Sequence, residues 1–221
     1  MFGVYRKKIA ETLLPIGFVI LFTGCAVPYH KMSPAILEYT NTGENSVISY
    51  GSHFNVLKDF KNKRFAEKEL QAKIKIVAFE ITNLSEHSID LENEVDYYQD
   101  STGLLTPLKP VEAYLALKLS SRKYMPILFL SFLNYYWTET YGSVPVQKKD
   151  FRMIPIGILI GPLLTLYNVE STRQSNIKLG EDLDKYSPYT RIAPGGKKYV
   201  LNSFKDISNC PIHIVVKSSR R

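Results

Sequence analysis

Two thiols, four imidazoles and one alternating run of carboxylates are the groups in this sequence best suited to chemistry. The thiols are Cys25 and Cys210, and the imidazoles are His30, His53, His87 and His213. In the stretch IDLENEVDYY, Asp90, Glu92, Glu94 and Asp96 alternate with Leu91, Val95 and Tyr97 on the other side. On one strand these four acids would share a face. Alternate residues of a strand stand ~6.6 Å apart, whereas calcium takes six to eight oxygens at ~2.3–2.6 Å. The row therefore reads as a solvated acidic face, and no metal ligand set is expected. The histidines lie far apart, His87 in a polar turn and His213 in a strand, and both read as structural.

The sequence contains no Gly-x-Ser-x-Gly, His-Glu-x-x-His or Cys-x-x-Cys, and Gly195-Gly196-Lys197 lacks the earlier glycine and following hydroxyl of a phosphate loop. The expectation is a protein that is not an enzyme, with no catalytic residue, cofactor or metal. Asn83-Leu84-Ser85 matches a glycosylation acceptor and reads as a turn.

Cys25 sits at the end of a leader. Arg6, Lys7 and Lys8 form a positive cluster, and an apolar core runs from Leu13 to Phe22. That core is too short for the ~20 residues of a spanning helix and has the length of a signal-peptide core. With Thr23-Gly24 before Cys25, the leader resembles the lipobox of bacterial lipoproteins. The resemblance implies a signal peptide over residues 1–24, cleavage before Cys25, and acylation of its thiol and new amine. Cys25 is then the lipid attachment site, and Ala26 after it implies the outer membrane, facing the periplasm, in a cell with two membranes. Each buried methylene of such an anchor contributes ~0.8 kcal/mol, so two or more chains hold a protein stably on a bilayer.

Three of the 28 Lys+Arg and one of the 21 Asp+Glu precede Cys25, which leaves the mature chain at about +5. Mild, scattered basicity in an exported chain points to anionic lipid or acidic glycan and excludes nucleic acid. With Cys25 acylated, Cys210 has no intrachain partner, and its place in NCPIHIVV reads as a buried, inert thiol.

Residues 25–46, with two prolines and many small polar side chains, read as a tether. From Val47 strand-like runs begin: SVISY, then a charged bridge expected to form a helical turn, then KIKIVAFEITNLS. In the last run Ile74, Ile76 and Ala78 take one face and Val77, Phe79 and Ile81 the other, as for a strand packed on both sides. IDLENEVDYY is expected to return as its partner strand. TRIAPGGKKYVLNSFKDISNCPIHIVVK reads as strand, Pro-Gly-Gly turn, strand, loop, strand. These segments resemble the immunoglobulin-like sandwiches of exported bacterial proteins. The resemblance implies a mainly β chain, an immunoglobulin-like antiparallel β-sandwich over 47–217.

An apolar hairpin, expected to be helical, interrupts that domain over about 111–169. There is no charge from Tyr124 to Thr138 or from Met153 to Val169, and the polar link between them carries Lys148, Lys149 and Arg152. Three readings stand open: it completes the core, dips into the membrane, or forms a surface for self-association or an envelope protein partner. The residues expected at a membrane or partner contact are Phe129, Leu130, Trp137, Lys148, Lys149, Arg152, Ile158 and Leu159. Gly157-x-x-x-Gly161 fits a close helix contact. The function expected is that of a lipid-anchored, non-catalytic binding or assembly component of the cell envelope. The alternative is an enzyme or accessory subunit acting on envelope lipid or glycan.

Overall fold

The computed structural model describes residues 26–100, 103–132, 134–141, 148–207 and 209–217. The leader and Cys25 lie outside the described residues. The chain divides into two compact units, a hairpin unit of Met1–Pro28 with Ser120–Arg173, and a sheet unit of Tyr29–Leu119 with Gln174–Arg221.

In the sheet unit, strands β1 (Asn41–Glu44), β2 (Ile48–His53), β3 (Ile74–Asn83) and β10 (Lys197–Lys205) form an antiparallel sheet in the order β1-β2-β3-β10. A second sheet has the order β11-β5-β6, from Ile212–Val216, Val95–Gln99 and Gly103–Leu105, and a short ladder joins β4 (Ile89–Asp90) to β9 (Arg191–Ile192). The alternation of β3 explains the layering. Val77, Phe79 and Ile81, with Val200 and Phe204 of β10, join Tyr97 of β5 and Ile212 and Ile214 of β11 in one buried cluster. Ile76 and Ala78, on the other face, meet Leu201 and a helical layer.

That layer holds helices α1 (Val56–Asp59), α2 (Lys63–Ala72), α3 (Pro110–Leu117) and the sheet-unit part of α4 (Gly157–Lys185). Its cluster includes Met32, Leu57, Phe65, Leu117, Leu179 and Leu183. The charged bridge thus forms two helices where one turn was expected, because Leu57 and Phe65 have an apolar sheet face to cover. α3 starts at Pro110, whose missing N–H costs nothing there, and Glu112 accepts the backbone N–H of Lys109 at 3.3 Å.

Several expectations are corrected. Helix, at 39%, exceeds strand, at 28%, so the chain is mixed α and β with antiparallel sheets and not mainly β. The expected tether is largely packed chain: Met32 is fully buried, Pro34–Ile36 form a 3-10 turn, and β1 pairs with β2. The hairpin unit begins at Ser120 instead of about 111, because Ala113 and Leu117 belong to the sheet unit's core.

IDLENEVDYY is not the partner of β3 and not one strand. β3 is flanked by β2 and β10, while β4 and β5 join different sheets. Asp90 folds the chain between them. Its carboxylate accepts the Glu92 N–H at 3.0 Å, and its carbonyl accepts the Glu94 N–H at 2.9 Å, an Asx-type turn that disperses the acidic row. Cys210 is exposed in the loop before β11 rather than buried. Pro211 delays the strand to Ile212, and the part of Cys210 that engages the core is its carbonyl, which accepts from buried Gln99 at 2.8 Å.

The late Pro-Gly-Gly turn forms as expected. Gly195 adopts φ +66°, which favours glycine, and its N–H donates to the Asn83 carbonyl at 3.0 Å.

Glu69 of α2 is buried and accepts the Ile76 N–H at 2.6 Å. Burial pushes its pKa up to about 7, against the lowering pull of that N–H and of Lys75. A carboxyl raised in the folded state binds its proton more tightly there than in the unfolded chain, so its stabilising effect is complete below the unfolded value. It is lost as pH rises toward 7. The shift corresponds to about 3 kcal/mol between pH 4.5 and 8. Glu69→Gln keeps an acceptor for Ile76 and should flatten this dependence. Urea unfolding at pH 5 and pH 8 checks it: equal slopes with pH for parent and variant would refute the assignment.

Candidate functional site

The hairpin unit contains a 3-10 helix over Ser121–Phe132, an antiparallel pair β7 (Tyr135–Tyr141) and β8 (Lys148–Ile154), and the first part of α4 up to Arg173. The two apolar arms are therefore joined by strands, where a helical hairpin with a polar link was expected. The register places Trp137 opposite Arg152, Thr140 opposite Lys149 and Tyr141 opposite Lys148. Aromatic and β-branched residues such as Tyr135, Tyr136, Trp137 and Thr138 suit a pleated backbone better than a helix. Pro126 lies inside the 3-10 helix, and Pro155 precedes α4, so neither proline interrupts an α-helical ladder.

The two faces of α4 in this unit are inverted with respect to water. Gly157, Gly161, Thr165, Asn168 and Thr172, spaced by four, four, three and four, are buried and lie along one side. The polar side chains among them are satisfied locally: Thr165 Oγ1 donates to the Gly161 carbonyl and Asn168 Nδ2 to the Leu164 carbonyl, each at 2.8 Å. Large apolar side chains occupy the rest of the circumference and are exposed, among them Ile158, Leu159 (69%), Leu163 and Leu166 (66%).

The 3-10 helix adds Phe129 (73% exposed) and Phe132 (77%), whose rings stand 6.4 Å apart. Arg122, Met125, Pro126, Leu128 and these two rings line an open groove of about 640 Å³. Gly161 lets this segment approach α4: a β-carbon there would lie 2.7 Å from the Ser131 backbone nitrogen. Ala26 closes the unit, with its backbone N–H donating to Asn168 Oδ1.

Of the residues expected at a contact, Phe129, Ile158 and Leu159 are exposed and Leu130 is half-buried. Trp137, Lys148, Lys149 and Arg152 lie on the β7–β8 pair. Sequence reasoning missed Phe132, Leu163 and Leu166. The spacing Leu159, Leu163, Leu166 was a helical signal in the second arm, obscured by Pro155 and Pro162. Of the histidines, His53 sits between the Glu38 carbonyl and Asp59, each at 2.7 Å, and His213 lies on β11, 3.5 Å from Asp100. Among the described residues no three His, Cys, Asp or Glu are grouped to hold a metal ion. No helix among them is long and apolar enough to cross a membrane.

No protein-family model, curated protein or solved structure matches this chain.

Gly161→Ala tests the close approach. In an exposed helix the change would gain about 1 kcal/mol from propensity, but overpacking against backbone costs about 1–3 kcal/mol, so net destabilisation is expected. Gly180→Ala on the same helix meets only the Tyr114 ring at 3.4 Å and should be neutral or stabilising. Thermal unfolding of both variants checks the pair, and a Gly161→Ala chain more stable than the parent would contradict the packing.

Proposed function

We propose that this protein is a lipid-anchored component of the bacterial cell envelope that acts by binding or assembly rather than catalysis. Its anchor is acylated Cys25, and its place in a cell with two membranes is the outer membrane, facing the periplasm. The observation that carries the reading is a surface: the large exposed apolar side chains of the hairpin unit, the unit to which Ala26 also belongs. Monomeric soluble proteins rarely leave contiguous apolar patches of this kind open without a use. On this reading the sheet unit is an immunoglobulin-like sandwich that serves as scaffold. In support, its two sheets share one core cluster, and the chain changes sheet between β10 and β11.

Expressed in a bacterial host, the protein should partition into detergent, with acyl mass on the peptide that begins at Cys25. Cys25→Ala should leave uncleaved precursor or released chain. A free, unmodified thiol at Cys25 in the wild-type protein removes the anchor. The binding role is tested by replacing Phe129, Leu130, Ile158 and Leu159 with Ser. Because three of these are exposed, the variant, compared with the parent in chains that start at Ala26 and so carry no acyl anchor, should unfold within a few degrees of it and lose its association with vesicles or with other chains. A variant that keeps every association of the parent removes the binding role.

A further inference from the structure

Resting on the reading of Cys25 as the acylated residue, we infer that the outward face of the hairpin unit is immersed in the lipid leaflet that holds the acyl chains. The surface comprises Phe129 and Phe132 of the 3-10 helix and Leu159, Leu163 and Leu166 of α4, all exposed.

In the hairpin unit α4 is inverted with respect to water. A helix at a protein surface in water turns its apolar stripe inward and its polar face outward. Here glycines, threonines and an asparagine point inward and leucines and isoleucines outward. That is the arrangement of helices surrounded by hydrocarbon, where small residues allow close packing, interior polar groups bond to backbone, and apolar side chains face the solvent that suits them. Thr165 and Asn168 follow that pattern by donating to the carbonyls four residues back.

Ala26 belongs to the hairpin unit and not to the sheet unit. It is buried and tied to Asn168 on the inverted helix. An acyl anchor on the residue before Ala26, as the proposed function has it, would hold at the leaflet the unit that carries the exposed apolar side chains.

Dimension and charge agree. α4 carries no charge from Gly157 to Val169, a rise of roughly 20 Å at ~1.5 Å per residue, shorter than the ~30 Å hydrocarbon core. The segment therefore fits within a leaflet or obliquely at its surface and does not span, in keeping with the absence of a spanning helix among the described residues. Between Ser120 and Arg173 basic residues outnumber acidic ones two to one, and Arg122 lies on the groove itself, as suits anionic head groups.

The test uses the full chain, expressed with its leader and reconstituted in vesicles of phosphatidylcholine and phosphatidylglycerol. Trp137 is the sole tryptophan, so Trp137→Phe gives a silent background. Phe129→Trp and, separately, Leu166→Trp then place a reporter on each element, and circular dichroism confirms the fold of both. With bromine on the acyl chains, emission should fall by at least half relative to unbrominated vesicles, and iodide should quench less than in detergent-free solution. The inference is overturned if Cys25 carries acyl mass yet both reporters ignore bromolipid and remain open to iodide. It is also overturned if they are shielded from iodide without bromolipid quenching while light scattering shows a dimer, which would make the occupant a second copy. Absence of acyl mass would refute the anchor alone. Vesicles added to that unacylated protein would then decide the face: bromolipid quenching sustains it and no quenching ends it.

Discussion

Asp182→Ala is expected to destabilise the sheet unit by about 2–6 kcal/mol, because one carboxylate oxygen serves two buried donors at about 1–3 kcal/mol each. Asp182 Oδ2 accepts from the Tyr29 hydroxyl at 2.8 Å and from the Met32 N–H at 2.7 Å. Both residues are buried, and the Tyr29 ring stands edge-on to Phe65 at 5.6 Å. Burial raises the Tyr29 pKa, and the bond to Asp182 raises it further, so the phenol stays a donor across the accessible pH range. Alanine would orphan a hydroxyl and an amide at buried positions. Asp182→Asn keeps an acceptor and should recover most of the loss, short of the extra strength of a charged acceptor. The segment released is the one that holds Tyr29 and Met32. Proteolysis within residues 26–40 should therefore accelerate in Asp182→Ala more than in Asp182→Asn. Urea midpoints for the two variants that coincide with the parent would show that the pair of bonds is not made.

Phe204→Ala is expected to cost about 3–5 kcal/mol, a large part of the ~5–15 kcal/mol that holds a domain together. Phe204 is fully buried where the two sheets meet, with ring centroids 5.6 Å from Tyr97 and 6.4 Å from Phe79. Edge-to-face pairs add about 0.5–1.5 kcal/mol beyond burial, so the loss should exceed that of an aliphatic of similar size. Phe204→Leu keeps most of the volume and should cost well under half as much. Chemical denaturation gives both numbers; an alanine variant that costs less than the leucine variant would place Phe204 outside the core.

What was legible in the sequence is what alternation and turn chemistry dictate locally. β3 was plain because Ile76 and Ala78 against Val77, Phe79 and Ile81 fit no other backbone than a strand buried on both sides. The Pro194-Gly195-Gly196 turn was plain for the same reason. The acidic alternation misled because period two can arise by chance: the Asp90 side chain captures the Glu92 N–H and breaks the strand after two residues. Residues 26–46 looked like a linker because their partners are remote. Met32 and Tyr29 are fixed by Asp182, some 150 positions on. The apolar arms were legible as apolar. Their strand pair was not, because Lys148 and Lys149 suggested a polar loop where the backbone pairs them with Tyr141 and Thr140. Nor was the inversion of α4, since a sequence shows which residues share a helical face but not which face is turned outward.

Asn83 has a bearing on how this protein can be made. Its side-chain amide donates to the carbonyls of His87 at 2.7 Å and Ile192 at 3.0 Å, and its oxygen accepts from the Ser85 backbone and hydroxyl. The residue is fully buried. In a eukaryotic secretory host, the Asn83-Leu84-Ser85 triplet would be offered to the glycosylation machinery while the chain is still emerging, before those bonds exist. A sugar joined to that nitrogen would remove one donor and have no room in the closed unit. Secreted yeast or mammalian material should therefore divide into a folded, unmodified fraction and a retained, glycosylated one, and Ser85→Ala should convert the second fraction into the first at the cost of the hydroxyl's bonds to Asn83 and His87.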